Sequence, residues 1–258
     1  MIVHTLTSYV ADQVAALEAA SLRRRRVLKP LLGLLGVLTI GAVLYFGLGG
    51  QWQLALISGG AGLLGLLLLG VIAVAGPNER DVAIKRSGAA GEAVLPRLLR
   101  TLPDCYTLLN GVPVPGSRAD IDHVLVGPTG IWAIEAKHHV GMVQCVGDAW
   151  GYTRLGRGGV PQAGHIGSPS QQARRAANAL EAYMRQCGAA RSSGTLKVEP
   201  LVVFTHPQVD LSLEAPTLTI LQAADVQPFI TRQPSRLAAA ECTQIVAWLC
   251  ALRPITPS

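Results

Sequence analysis

From Pro30 to Asn78 the chain carries no aspartate, glutamate, lysine or arginine, and this stretch restricts the possible folds more than any other feature. A helix at the surface of a soluble protein needs a polar face, and a charge-free run of this length has little to offer water. The run divides at Gly49-Gly50-Gln51-Trp52-Gln53 into Pro30–Leu48 and Leu54–Ala75. Each part is close to the roughly 20 apolar residues that take a helix across a bilayer core. The glycines suit a tight turn, and Trp52 suits a headgroup boundary. The expectation is a hairpin of two transmembrane helices. A cleaved signal peptide would have a shorter apolar region, nearer the start and ending in a small-residue cleavage site. Neither span contains an ionisable side chain, so transport or a proton relay has no chemical support.

Charge places the hairpin. Arg23, Arg24, Arg25, Arg26 and Lys29 stand directly before the first span, and Arg80, Lys85 and Arg86 follow the second. Basic flanks favour the cytoplasmic side, so the chain is expected to be a multi-pass cell-membrane protein with both termini cytoplasmic and Gly49–Gln53 outside. The formal +6 and the pI near 9.3 mostly report that one cluster, and argue only weakly for a basic nucleic-acid face on the rest. Tyr9, Val10, Val14 and Leu17 recur at roughly helical spacing. Residues 1–29 therefore read as an amphipathic and arginine-rich cytoplasmic segment, 30–76 as the membrane hairpin, and 77–258 as a cytoplasmic domain.

Within that domain, Ala89–Leu102 reads as a helix with Val94, Leu95, Leu98, Leu99 and Leu102 on one face. Tyr106–Val112 reads as a strand. Ile121–Val126 and Ile131–Lys137, joined by Gly127-Pro128-Thr129-Gly130, read as a β-hairpin. Leu218–Leu221 looks like a further strand, Ala223–Ile230 a short helix or loop, and Leu237–Leu252 a closing helix before Pro254. Cys105, Cys145, Cys187, Cys242 and Cys250 are scattered without a CxxC pair, which argues against a zinc ribbon and for buried thiols in a reducing compartment.

Strand alternation assigns the polar residues of the hairpin. Side chains two apart share a face, so Asp120, Asp122, Val124 and Val126 lie together, as do Ile131, Ala133, Glu135 and Lys137. Pairing across the turn brings Asp122 towards Glu135 and Lys137. Two carboxylates and an amine on an apolar sheet are costly unless they bind something. A hard divalent cation such as Mg²⁺, or Mn²⁺, is suited to both carboxylates, and would activate water or stabilise charge on a phosphodiester.

Asp122, followed across a hairpin by Glu135-Ala136-Lys137, resembles the catalytic core of the PD-(D/E)XK nuclease superfamily. More closely, Gly91-Glu92, Ile121-Asp122-His123, Gly127-Pro128-Thr129-Gly130, Ile134-Glu135-Ala136-Lys137 and Gly141 resemble the NERD (nuclease-related) domain. Pro169-Ser170-Gln171-Gln172, leading to Ala179-Leu180, is similar to that family's glutamine-bearing helix, and Leu201–Thr205 to its next core strand. The resemblance covers roughly residues 88–210. It implies an α/β fold of the restriction-endonuclease-like kind, a mixed sheet flanked by helices in the order α-β-β-β-α-β. It further implies that Asp122 and Glu135 hold the metal with the Ala136 carbonyl, and that Lys137 orients water or neutralises phosphate charge. Glu92 would add a carboxylate or position water, and Gln172 would stand beside the site. His138, where the family often has asparagine, and the glycine-rich Gly156–Gly159 insert are departures.

Plainer readings compete at several positions. Glu135 and Lys137 alone would be an ordinary cross-strand pair. Asp120 suits a turn or rim, and His123, facing away from Asp122, a structural hydrogen bond. His138 and His139 point to opposite faces and are poor joint zinc ligands. Trp132 and Trp150 suit packing more than base stacking. Arg174 and Arg175 could follow a phosphate backbone or form a solvated helix face. The expected function is a membrane-anchored, metal-dependent nuclease acting on DNA or RNA. The alternative is a non-catalytic nucleic-acid- or protein-binding module on the same tether.

Overall fold

The computed structural model describes residues 1–6, 9–74, 88, 90, 91, 93–113, 120–156, 158–188 and 196–252. The chain forms two compact units. Val10–Arg86 is one; Met1–Tyr9 together with Ser87–Ser258 is the other.

The first unit is helical. Helix α1 runs Tyr9–Leu48 and helix α2 runs Trp52–Val74. Gln51 accepts from the Leu54 and Ala55 N–H groups at the start of α2, at 3.0 and 3.1 Å. Pro30, read from sequence as the start of a span, lies inside α1. It has no N–H to offer the carbonyl one turn earlier, yet the helix continues through it. Gly62 is buried where a methyl group would overlap the Thr39 side chain. This is the small-residue packing expected in a membrane interface. Outward, Val37, Leu38, Leu56 and Leu67 are more than half exposed. Both helices are long and apolar enough to cross a membrane.

The second unit is a mixed α/β domain. Strand β1 (Ile2–Thr5) comes from ahead of the hairpin. The residues before Tyr9 read from sequence as part of the amphipathic segment; here they form a sheet edge. After the hairpin come helix α3 (Val94–Leu98) and a 3-10 turn (Leu99–Thr101), so the helical run expected over Ala89–Leu102 is α-helical only in part. Then follow β2 (Thr107–Pro113), β3 (Asp120–Gly127) and β4 (Gly130–Lys137). Next are β5 (Gly141–Val146), β6 (Ala149–Leu155), β7 (Pro161–Gly164) and helix α4 (Pro169–Gln186). The chain continues through β8 (Val198–Phe204), β9 (Val209–Glu214), β10 (Thr219–Gln222), α5 (Ala223–Thr231) and α6 (Ala239–Cys250).

The main sheet has the order β1-β2-β3-β4-β8-β10. Its centre is antiparallel from β2 to β4, and β1, β8 and β10 join in parallel. On one face Val124, Val126, Ile131 and Ala133 pack against Ala176, Ala177 and Leu180 of α4 and Ile245 and Leu249 of α6. On the other, Leu108, Leu125, Trp132 and Ile134 meet Leu95, Leu99, Val226 and Ile230. A second sheet, β7-β6-β5-β9, had no counterpart in the sequence reading. Its inner residues Val143 and Cys145 pack with Ala173, Val202 and Phe204. The glycine-rich stretch at Gly156 is the turn between β6 and β7. All five cysteines are free thiols.

His123 is buried between the layers, with Nδ1 2.8 Å from the Asn110 Oδ1. Because that oxygen accepts, Nδ1 carries the proton. Nε2 has no partner among the described residues. Burial lowers the imidazole pKa from 6.5 to about 4. The folded protein keeps this ring neutral where the unfolded chain takes up a proton. His123 therefore leaves stability intact above about pH 6.5 and removes it as pH falls towards 4. His123→Asn keeps an N–H for Asn110 and abolishes the titration. Its unfolding midpoint is expected to change less between pH 7 and pH 4 than that of the wild type. Parallel curves from thermal melts across that range would rule out His123 as the source.

Candidate active site

The site begins where β3 and β4 separate. Their register runs from Gly127 opposite Gly130 to His123 opposite Ile134. One step further, Asp122 and Glu135 are the next facing positions, so their side chains leave the sheet on the same side. That side carries Val124, Ala133 and helix α4. Beyond His123 the two strands are no longer paired in the ladder, and a side chain replaces a backbone partner. The Asp122 Oδ2 accepts the Ala136 N–H at 2.8 Å. In a strand the N–H and C=O of one residue point the same way, so the Ala136 carbonyl also faces the β3 side.

Glu135 and Lys137 lie two apart on β4 and share a face. The Lys137 Nζ donates to the Glu135 Oε1 at 2.6 Å, with side chains 17% and 14% exposed. The floor beneath them is apolar: Glu135 is opposite Val202 and Lys137 opposite Phe204 on β8, both fully buried in the core shared with the second sheet. The pair is thus reachable from solvent but set on a water-poor base, where a charge interaction is weakened less than at a fully exposed surface.

The end of β4 is pinned by groups that the sequence reading did not single out. The Thr205 N–H donates to the Lys137 carbonyl at 2.9 Å, and the Thr205 Oγ1 is 2.9 Å from the His138 Nδ1. Thr205 is buried. Its place at the end of a buried Leu-Val-Val-Phe run was the available signal. The His138 ring stacks edge-on with His206, centroids 4.8 Å apart, while His139 meets Tyr152 at 4.9 Å. Desolvation, then the neighbouring His206, lowers the His138 pKa. For His139 the causes are desolvation, then Lys137 and His138. Just past the end of β4, the two adjacent rings thus meet different partners.

Glu92 lies outside the described residues. Its neighbour Gly91 is buried, and a methyl group there would overlap the His138 Cβ and Cγ. A glycine is therefore needed for the chain before α3 to pass beside the end of β4. Gln172 is exposed in the first turn of α4, its N–H on the Ser168 carbonyl at 3.1 Å. Among the described residues no hydrogen bond joins it to Glu135 or Lys137. Asp120 pairs with Pro113 at the head of β3.

Trp150 is held by packing: its Nε1 donates to the buried Ser170 Oγ at 3.0 Å, and its ring is 6.1 Å from Phe204. Trp132 packs edge-on against Phe229. Arg174 grips Asp148 with both Nη atoms, at 2.8 and 3.1 Å, and also contacts Thr217. Hydrogen bonds from Arg174 and then Thr217 hold the Asp148 carboxyl at about 2. Arg175 reaches one turn back to the Gln171 Oε1 at 3.3 Å.

Carboxylates such as Asp122 and Glu135 and a strand carbonyl are the donor types that a hard cation of the Mg²⁺ kind takes. No group of three or more His, Cys, Asp or Glu side chains gathers as a metal cluster among the described residues. Residues 87–205 match the family model of the nuclease-related domain, NERD, and this segment is a NERD domain, consistent with the PD-(D/E)XK arrangement. No curated protein and no solved structure matches the chain.

Proposed function

We propose that this chain, as the carrier of a NERD domain, is a membrane-anchored, metal-dependent nuclease that hydrolyses nucleic-acid phosphodiesters. The observation that supports the reading is the pair of contacts where β3 and β4 part, the Asp122 carboxylate on the Ala136 N–H and the Lys137 ammonium on Glu135. Asp122, Glu135 and the Ala136 carbonyl would hold Mg²⁺ or Mn²⁺. The ion, when bound, supplies a water of lowered pKa and a Lewis acid for phosphate charge.

The remaining chemistry belongs to the protein. The Lys137 ammonium, held to Glu135 on an apolar floor, is suited to orienting a water or stabilising a phosphate oxygen near β4. The Ala136 N–H fixes the Asp122 carboxylate against rotation, so the two acids stay on one side. Thr205 and His138 keep the end of β4 from fraying. Glu92 and Gln172 are kept as supporting groups from the family resemblance. Arg175 is better suited than Arg174 to a phosphate contact, because both arms of Arg174 are engaged by Asp148.

The topology proposal has support of its own. Strand β1 precedes the helical hairpin and β2, β3, β4, β8 and β10 follow it, yet they form one sheet. Both must lie on the same side of any membrane that the hairpin crosses, and two spans meet that requirement. The arginines at Arg23 to Arg26 favour the cytoplasmic side.

The test uses the full chain in detergent or nanodiscs, with single- and double-stranded DNA and with RNA. Cleavage is expected with Mg²⁺ or Mn²⁺ and not with EDTA, and Glu135→Ala is expected to abolish it. Cleavage unchanged by Glu135→Ala would move the activity elsewhere. Salt-sensitive binding that needs no metal and survives Glu135→Ala, without cleavage by the wild type, would establish a binding module instead.

A further inference from the structure

The first unit contains a groove that the nuclease reading does not use. Between α1 and the end of α2 lies an open cavity of about 530 Å³, lined by Ala19, Arg23, Arg24, Val27, Leu28 and Ile72. On a helix of 3.6 residues per turn, positions 19, 23, 24, 27 and 28 form one face. Arg26 lies just outside its edge and Lys29 on the opposite side of the helix, and neither lines the groove. Helix α2 ends at Val74, just past Ile72, while α1 continues beyond Arg23 towards Tyr9. The groove is therefore roofed on one side only.

Its chemistry is divided. Val27, Leu28 and Ile72 form an apolar lower part at the start of the charge-free stretch. Arg23 and Arg24 form the upper part, less than two turns before Pro30, and neither has an ion pair among the described residues. The unit Val10–Arg86 carries eight arginine and lysine residues against four acids, Asp12, Glu18, Glu79 and Asp81, so its balance is cationic. Arginine is the side chain suited to bidentate phosphate recognition. Basic pockets between transmembrane helices on the cytoplasmic side bind anionic headgroups.

We infer that this groove is a binding site for an anionic phospholipid of the adjoining leaflet. Arg23 and Arg24 hold its phosphate, and its glycerol and upper acyl carbons lie on Val27, Leu28 and Ile72. The inference rests on the membrane-anchor reading and is independent of the nuclease chemistry. A lipid seated there fills the space beyond the end of α2 and braces the longer helix where it leaves the bilayer.

The experiment has two stages. Flotation of the full chain with phosphatidylcholine vesicles tests the anchor alone; protein left in the dense fractions defeats the anchor itself. Native mass spectrometry then measures retention from an equal mixture of phosphatidylglycerol and phosphatidylcholine. The wild type is expected to keep one phosphatidylglycerol in preference. Arg23→Gln with Arg24→Gln is expected to reduce that preference at least tenfold. Arg26→Gln with Lys29→Gln removes the same charge from outside the groove and is expected to preserve it. Equal retention of both lipids by the wild type, or equal loss in the two double variants, overturns the site in favour of no selectivity or diffuse charge attraction.

Discussion

Glu135→Gln is expected to lower the cleavage rate by about 10³-fold with substrate retention little changed. Glutamine has the same shape and still accepts from the Lys137 Nζ, which lies 2.6 Å from the Glu135 Oε1. The substitution therefore removes charge without collapsing the pair. What is lost is one of two carboxylates available to a cation, and removing a single charge-stabilising group from a preorganised site typically costs 10²–10³ in rate. Lys137→Met, which keeps the stem and deletes the ammonium, is expected to cost about as much. The double variant is expected to be little worse than either single one, because groups that act as a unit are not additive. Single-turnover cleavage at saturating protein, with binding measured separately in Ca²⁺, checks all three. A Glu135→Gln rate within about threefold of the wild type would remove Glu135 from the chemistry, as would a purely binding-level defect.

The β3–β4 hairpin that carries the candidate site was legible in the sequence because each of its signals is local. Asp122 to Val126 and Ile131 to Lys137 are apolar runs on either side of Gly127-Pro128-Thr129-Gly130, and a turn this short sets the register and with it the faces. The structure retains that register up to His123 opposite Ile134. The apolar hairpin was legible for the same reason, since a charge-free stretch is recognised without knowing its neighbours. What escaped the reading was non-local. Ile2–Thr5 is too short to be recognised by alternation, and its partner Thr107–Asn110 lies on the far side of the hairpin. The second sheet was missed although Met142 to Val146 alternates plainly, with Val143 and Cys145 buried and Met142, Gln144 and Val146 exposed. Its parallel partner β9 stands far away in sequence, beyond α4. Arg174 shows a further limit. A cationic side chain on a helix reads as available for phosphate until the structure reveals Asp148, brought there by the β5–β6 turn.

Deleting residues 2–6 is expected to lower the melting temperature of the α/β unit by several degrees and to make the protein prone to association. In the parallel β1–β2 pair the Ile2 N–H donates to the Tyr106 carbonyl at 3.0 Å and the Leu6 N–H to the Asn110 carbonyl at 2.9 Å. The same alternation puts the His4 N–H on the Leu108 carbonyl. Three such bonds contribute about 1 kcal/mol each. Leu6, which packs against one core layer, adds about 2 kcal/mol. Ordering the segment offsets much of that, and each kcal/mol that remains moves the midpoint of a domain this size by about 2–4 °C. Deletion also bares the edge of β2, which offers unpaired backbone groups to another chain. A proline scan separates the strand from the mere presence of these residues. Val3 turns its N–H away from β2, so Val3→Pro is expected to be nearly silent, whereas His4→Pro removes a ladder bond and is expected to reproduce much of the deletion. Melts followed by tryptophan fluorescence, with light scattering for association, decide the matter. Equal behaviour of the two proline variants would mean that β1 is not paired in solution. It follows that a nuclease assay on a fragment beginning after the hairpin would test a domain stripped of its edge strand, so the full chain is the proper material for every measurement of activity.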